Sequence, residues 1–244
     1  MTMPRSIVFI AVLLVTVVGG VPARPADVDL SLVLAIDVSS SVNGERYELQ
    51  MRGYAEAFRN PMVTDAIAQT PSGAIAVTLV QWAGYGHYEQ VIGWTIIHDA
   101  GTASRFANTI AETTRALDGS TSLSGAIDFS ARLLRANGLN ARRRVIDVSG
   151  DGSNNQGRPA TLARDEAVAA GITINGLPIL TEDPTLDTYY REHVIGGPGA
   201  FLVVAEDFES FSDAILTKLT IEIAGADGPD QQVAMLPLHK AKLD

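Results

Sequence analysis

Three oxygen-bearing side chains stand at alternate positions in "LAIDVSSSVNG": Asp37, Ser39 and Ser41. In an extended turn alternate side chains point to one side, so these three can converge on one cation. Two other stretches carry the same kind of donor: "DGSTSLSGA" presents Thr121, and "VIDVSGDGSNNQG" presents Asp151 at the end of an apolar run. Two carboxylates and three hydroxyls form an all-oxygen set, which suits a hard divalent ion such as Mg²⁺ and needs neither histidine nor cysteine. Taken alone, the first stretch reads better as helix capping, because Ser, Asp and Asn are the preferred caps and a helix begins near Asn43. The other two stretches turn the reading toward a metal site.

Such a set needs elements that bring three distant stretches together. From Asp29 onward, apolar runs of strand length alternate with segments whose apolar residues recur at helical spacing, which is the pattern of an α/β domain. "LSLVLAI" is almost continuously apolar, as a parallel strand buried on both faces should be. Tyr47, Met51, Tyr54 and Phe58 line one face of a helix that ends before Pro61. "AIAVTLVQW" and "EQVIGWTII", joined by the short link "AGYGHY", predict an antiparallel hairpin. Phe106, Ile110, Thr113 and Leu117 predict the next helix, and Leu123, Ile127, Ser130 and Leu134 another. Strand "RVIDVS", helix "PATLARDEAVAA", strand "ITINGLPI", helix "TLDTYYREHV", strand "AFLVVA" and a helix carrying Phe208, Phe211, Ile215 and Leu219 complete the series. The expected fold is a doubly wound, mostly parallel six-stranded sheet with one antiparallel edge hairpin strand and helices on both faces. In such sheets ligands gather where the parallel strands end and lead into helices. Asp37, Thr121 and Asp151 all fall in such stretches.

With these residues and this order of elements, the sequence resembles the von Willebrand factor type A family, which includes the inserted domains of integrins. The D-x-S-x-S motif of that family's metal-ion-dependent adhesion site falls on Asp37, Ser39 and Ser41, its loop threonine on Thr121, and its later aspartate on Asp151. "DVSSSV" with "GDGSNNQG" further resembles an uncharacterised subset of secreted bacterial members. The resemblance implies a Rossmann-like binding domain rather than an enzyme. It implies a site for Mg²⁺, or Mn²⁺ or Ca²⁺, in which Ser39, Ser41 and Thr121 are direct or switching ligands and Asp37 and Asp151 are anchors, often through water. It also implies a protein partner whose acidic side chain completes the coordination. A scaffold subunit of a periplasmic complex is the alternative role within the same family.

Other chemistries fit less well. "GDGSNN" resembles an element of haloacid dehalogenase-type phosphatases, with Asp37 as the nucleophile. That family's general acid would fall on Ser39, which transfers protons poorly near neutral pH, and no lysine precedes Lys218. An EF-hand loop read from Asp151 meets Gln156 where glycine is needed and Leu162 where glutamate is needed. There is no G-x-S-x-G elbow, and His87, His98, His193 and His239 are scattered. Asp147 interrupts an apolar strand and must be paired or hydrogen-bonded if buried. Arg142 to Arg144 read as a solvated basic edge. Tyr85, His87 and Tyr88 at the hairpin tip read either as contact anchors or as an ordinary mobile tip. The acids of "TEDP" (181 to 184) either repel an acidic partner or are simply solvated.

Composition bounds the rest. The chain has 244 residues, 46% of them hydrophobic, enough for one sizeable domain, expected over residues 27–224. Residues 1–23 carry Arg5, an apolar run from Ile7 to Val18 and then Val21-Pro-Ala23, which reads as a secretory signal peptide. Their removal leaves 17 Lys and Arg against 28 Asp and Glu, a balance that disfavours nucleic acid as a partner. Cysteine is absent, so neither disulfides nor thiolate metal sites enter. The expectation is an exported protein, periplasmic or extracellular, without a membrane span in the mature chain. Residues 225–244 read as a flexible C-terminal tail.

Overall fold

The structure is a computed structural model that describes residues 27–225. The expected signal peptide, and the expected tail beyond Gly225, lie outside the described residues. The first strand, β1 (Asp27–Asp37), is followed by α1 (Gly44–Arg59) and α2 (Pro61–Gln69). The hairpin β2 (Ile75–Trp82) and β3 (Tyr88–Ile97) comes next, then α3 (Ala100–Glu112), α4 (Leu123–Ala136) and β4 (Asn140–Gly150). The chain continues through α5 (Ala160–Ala169), β5 (Thr173–Pro178), α6 (Leu186–His193) and α7 (Phe211–Ala224).

The sheet runs in the order β3-β2-β1-β4-β5, with only β3 antiparallel. This is the expected mixed α/β fold, with the hairpin strand at one edge. The strand β1 lies between β2 and β4, so the crossovers leave from it in two directions and a crevice opens at its carboxyl end. Its side chains alternate between two cores. Leu30, Leu32, Leu34 and Ile36 pack with α1, α2, α3 and α7, while Val33 and Ala35 pack with α4, α5 and α6.

Local chemistry explains the element ends. Tyr47, Met51, Tyr54 and Phe58 of α1 are all buried. Asn60, which precedes Pro61, takes the extended conformation that a following proline favours, and Pro61 opens α2. The expected helix through Leu117 stops at Glu112. There the neighbouring elements claim its backbone: the Tyr47 hydroxyl donates to the Thr113 carbonyl, and Gln81 donates to the Thr114 carbonyl and accepts from the Ala116 N–H. These bonds replace helical ones and send residues 113–118 toward the crevice.

The sheet has five strands where six were expected. The run at 201–205 does lie parallel to β5, bridging at Gly176–Leu202 and Ile179–Ala205. Pro178 sits between these bridges. It accepts from the Ala205 N–H at 3.0 Å but has no N–H to give in return, so the ladder is cut in two.

Asp147 is fully buried, and the expected pairing is met by a residue from a distant helix: Lys218 Nζ lies 2.6 Å from its Oδ1. Glu222 accepts from Lys218 at 3.3 Å and from Asn175 at 2.6 Å, and Asn175 in turn accepts from the Phe201 N–H. Arg142 to Arg144 are more specific than a solvated edge. Arg142 pairs with Asp29 at 2.9 Å, Arg143 donates to the Glu222 and Ile223 carbonyls at the end of α7, and Arg144 donates to the Ala170 carbonyl after α5. Guanidinium groups suit these carbonyls, which have no partners within their helices. Among the described residues no helix is long and apolar enough to cross a membrane.

Candidate metal centre

The crevice at the carboxyl ends of β1 and β4 brings four of the five expected residues into direct contact. The Asp37 carboxylate accepts from the Ser39 N–H at 2.7 Å, the Ser39 and Ser41 hydroxyls are 3.1 Å apart, and the Ser41 hydroxyl donates to Asp151 Oδ1 at 2.6 Å. Thr121 stands beside them. A methyl group built on Gly152, the residue after Asp151, would lie 3.5 Å from the Thr121 Oγ1. The Thr121 hydroxyl makes no hydrogen bond among the described residues, and Thr121 itself is buried.

The helix-capping alternative fails at each position. Asn43 caps α1 by accepting from the Arg46 N–H, and Ser122 caps α4 by accepting from the Gly125 N–H. The helix α5 starts at Ala160, well past Asp151. None of Asp37, Ser39, Ser41, Thr121 and Asp151 is therefore spent on a helix end.

Backbone and side-chain bonds hold the three loops together. Ser40 donates to Asp118 and to the Gly119 carbonyl, and Arg115 donates to the Val38 and Ser39 carbonyls at 2.7 and 2.9 Å. Thr121 and Asn155 exchange bonds, the Thr121 N–H giving to Asn155 Oδ1 and the Asn155 N–H to the Thr121 carbonyl. Asn154 accepts from the Ser124 N–H, and Gln156 accepts from the Tyr85 N–H. The run Asn154-Asn155-Gln156 thus fastens the loop after β4 onto the first turn of α4, the loop before it and the hairpin link. The sequence signal for this role was present, three side-chain amides directly after the Asp151 turn, but their partners were not visible in it.

The electrostatics favour a bound cation. Burial, followed by the charge of Asp151, pushes the Asp37 carboxyl up to about 7, against the hydrogen bonds from Ser39. Burial likewise raises Asp151, against the Ser41 bond and the charge of Arg46. Oδ2 of Asp37 and Oδ2 of Asp151 are buried and have no hydrogen-bond partner. Two carboxylate oxygens in that condition are costly unless a positive charge meets them. Arg46 is the cation nearest Asp151 Oδ2, at 3.6 Å, and its guanidinium is drawn off by Glu182 at 2.6 Å. Among the described residues no group of three or more His, Cys, Asp and Glu is arranged to hold a metal. Any ion here would depend on the hydroxyls as well. The residues present fit a hard cation: oxygen donors throughout, with two unsatisfied carboxylate oxygens.

The hairpin tip divides. Tyr85 is exposed at 64%, whereas Tyr88 lies in β3 with its ring 5.0 Å from that of Phe129, and His87 Nδ1 is 3.1 Å from the Asp118 carbonyl.

Comparison with known proteins agrees with this architecture. Proximal thread matrix protein 1 from the mussel byssus superposes with a TM-score of 0.62 at 14% identity, over 82% of this chain and 48% of that one. A second structure of that protein, described as having a zinc-occupied MIDAS motif, gives 0.58 at 15% identity, over 83% and 49%. A von Willebrand factor type A structure from Catenulispora acidiphila gives 0.57 at 15% identity, over 81% and 43%. The chain thus spans about half the length of these structures or less, and identities this low speak for the fold alone. No curated protein matches the sequence. The family profile "Protein of unknown function (DUF1194)" matches residues 27–227. The chain therefore belongs to the DUF1194 family, and its fold is that of a von Willebrand factor type A domain.

Proposed function

We propose that this protein is an exported binding module, periplasmic or extracellular. In this reading Asp37, Ser39, Ser41, Thr121 and Asp151 hold a divalent cation, Mg²⁺ or else Mn²⁺ or Ca²⁺, and a partner protein adds a carboxylate to it. The observation that carries the reading is the pair of buried, unpartnered oxygens, Asp37 Oδ2 and Asp151 Oδ2, on carboxylates gathered with three hydroxyl-bearing residues that cap no helix. A neutral hydroxyl withdraws less of an ion's charge than a carboxylate does, so an ion held largely by hydroxyls keeps affinity for an incoming acid. When bound, the ion supplies Lewis acidity toward that acid. The chain's own residues orient the donors: Ser41 fixes Asp151, the Ser39 N–H fixes Asp37, and Asn155 holds the Thr121 backbone. No proton transfer or bond cleavage is assigned to them.

Calorimetric titration of Mg²⁺ and Mn²⁺ into the purified protein tests this reading, with the wild type beside Thr121→Ala and Asp37→Ala. Saturable binding weakened by about tenfold or more in both variants is expected, since even residues outside the coordination sphere commonly cost that much. Absence of binding by folded wild type would remove the ion from the mechanism and leave the fold intact.

A further inference from the structure

Arg46 sits in the first turn of α1, and its contacts are unequal. Its backbone N–H bonds Asn43, and its guanidinium donates to the Ser41 carbonyl at 2.8 Å, lies 3.6 Å from Asp151 Oδ2 and stacks 5.2 Å from the centroid of the Phe208 ring. The partners of the guanidinium among these are buried or belong to the backbone. The remaining contact, Glu182 at 2.6 Å, comes from a side chain 50% exposed, while Arg46 itself is 24% exposed. The guanidinium is thus held by Ser41, Asp151 and Phe208 and reached from solvent by the Glu182 carboxylate, and Asp151, which it approaches, is also the acceptor of the Ser41 hydroxyl.

Resting on the metal-site reading above, we propose that the partner's acidic group is held by two cations, the ion and Arg46, and that Glu182 occupies the place at Arg46 until that group displaces it. A carboxylate bound to an ion through one oxygen leaves its second oxygen free, and a guanidinium presents forked donors that match it. The charges agree. Asp37 and Asp151 balance a divalent ion and Glu182 balances Arg46, so an incoming carboxylate keeps the site neutral only if Glu182 withdraws. Glu182 is a resident competitor, and it answers the question posed by the acids of "TEDP": this one neither merely repels nor is merely solvated.

The test uses the purified protein loaded with Mn²⁺ and the carboxylate probe acetate, read by water-proton relaxation as acetate displaces Mn²⁺-bound water. Mn²⁺ affinity is measured first for each variant, with thermal melting to confirm folding. Glu182→Gln should bind acetate about tenfold more tightly than wild type, the gain expected if Glu182 occupies Arg46 in roughly nine molecules of ten. Arg46→Gln should bind it more weakly than wild type, and the double variant should match Arg46→Gln. Equal acetate affinity in wild type and Glu182→Gln, or no acetate binding by any Mn²⁺-loaded variant, would overturn the proposal and leave the metal site standing. Failure of wild type to bind Mn²⁺ at all would overturn both.

Discussion

A methyl group on Gly150 would stand 2.7 Å from Oδ2 of Asp37 and 3.2 Å from the Trp82 ring. The absent side chain of this residue, one position before Asp151, is what gives the buried carboxylate its space. Gly150→Ala is therefore expected to push the Asp37 carboxylate or the indole aside, at a cost of about 1–3 kcal/mol for overpacking. Urea denaturation should show the lower midpoint, and Mn²⁺ titration of the folded variant should show weaker binding. An unchanged midpoint would mean that the neighbours yield freely. At this scale the five oxygen-bearing residues could be singled out as candidates because residue type and spacing are local properties. Arg46 was not legible: in the sequence it is one more charged residue in a first helical turn, and only its contacts with Ser41, Asp151, Glu182 and Phe208 set it apart.

The elements were legible wherever periodicity and punctuation agree. Pro61 ends the first helix as expected, and the continuous apolar run of β1 marks a strand covered on both faces, whereas the second helix that Pro61 opens was not anticipated. Periodicity failed where other elements captured backbone groups, as Tyr47 and Gln81 do at the end of α3. The sixth strand failed through one missing donor. Pro178→Ala would supply an N–H facing the Val203 carbonyl and join the two bridges beyond β5 into one ladder. Hydrogen exchange should then find the new amide of residue 178 protected; rapid exchange would contradict the ladder. Stability should shift by no more than about 1 kcal/mol, because a hydrogen bond worth about 0.5–1.5 kcal/mol is offset by the greater freedom of the unfolded chain without proline.

For the molecule as a whole, the buried group of Asp147, Lys218 and Glu222 joins the central sheet to α7 and imposes a pH dependence on folding. Burial pushes the Asp147 carboxyl from 3.8 up to about 7, with the charge of Lys218 opposing and that of Glu222 adding, and Tyr54, Ser149 and Asn175 complete the surroundings. A folded-state value above the unfolded one means that the folded protein holds this proton more tightly. The resulting stability is full below the unfolded value and is lost as pH rises through about 7. Asp147→Asn keeps the neutral shape and leaves Lys218 with Glu222. In metal-free buffer it should flatten the decline across that window, where one such proton contributes at most about 1.4 kcal/mol per pH unit. Parallel curves for variant and wild type would count against a proton on Asp147; Asp37, also raised to about 7, contributes equally to both. By itself the sequence determined most of the alternation of strands and helices, the edge hairpin and the presence of five oxygen-bearing side chains in or beside loops, because these follow from hydrophobic period, turn chemistry and residue type over a few neighbouring positions. Tertiary structure alone decided that Ser41 meets Asp151 across 110 positions, that Lys218 pairs with Asp147, and that Glu182 lies on Arg46. Each of these is a contact between side chains that only the packed sheet and its crossovers bring within a few ångströms, and no local pattern encodes it.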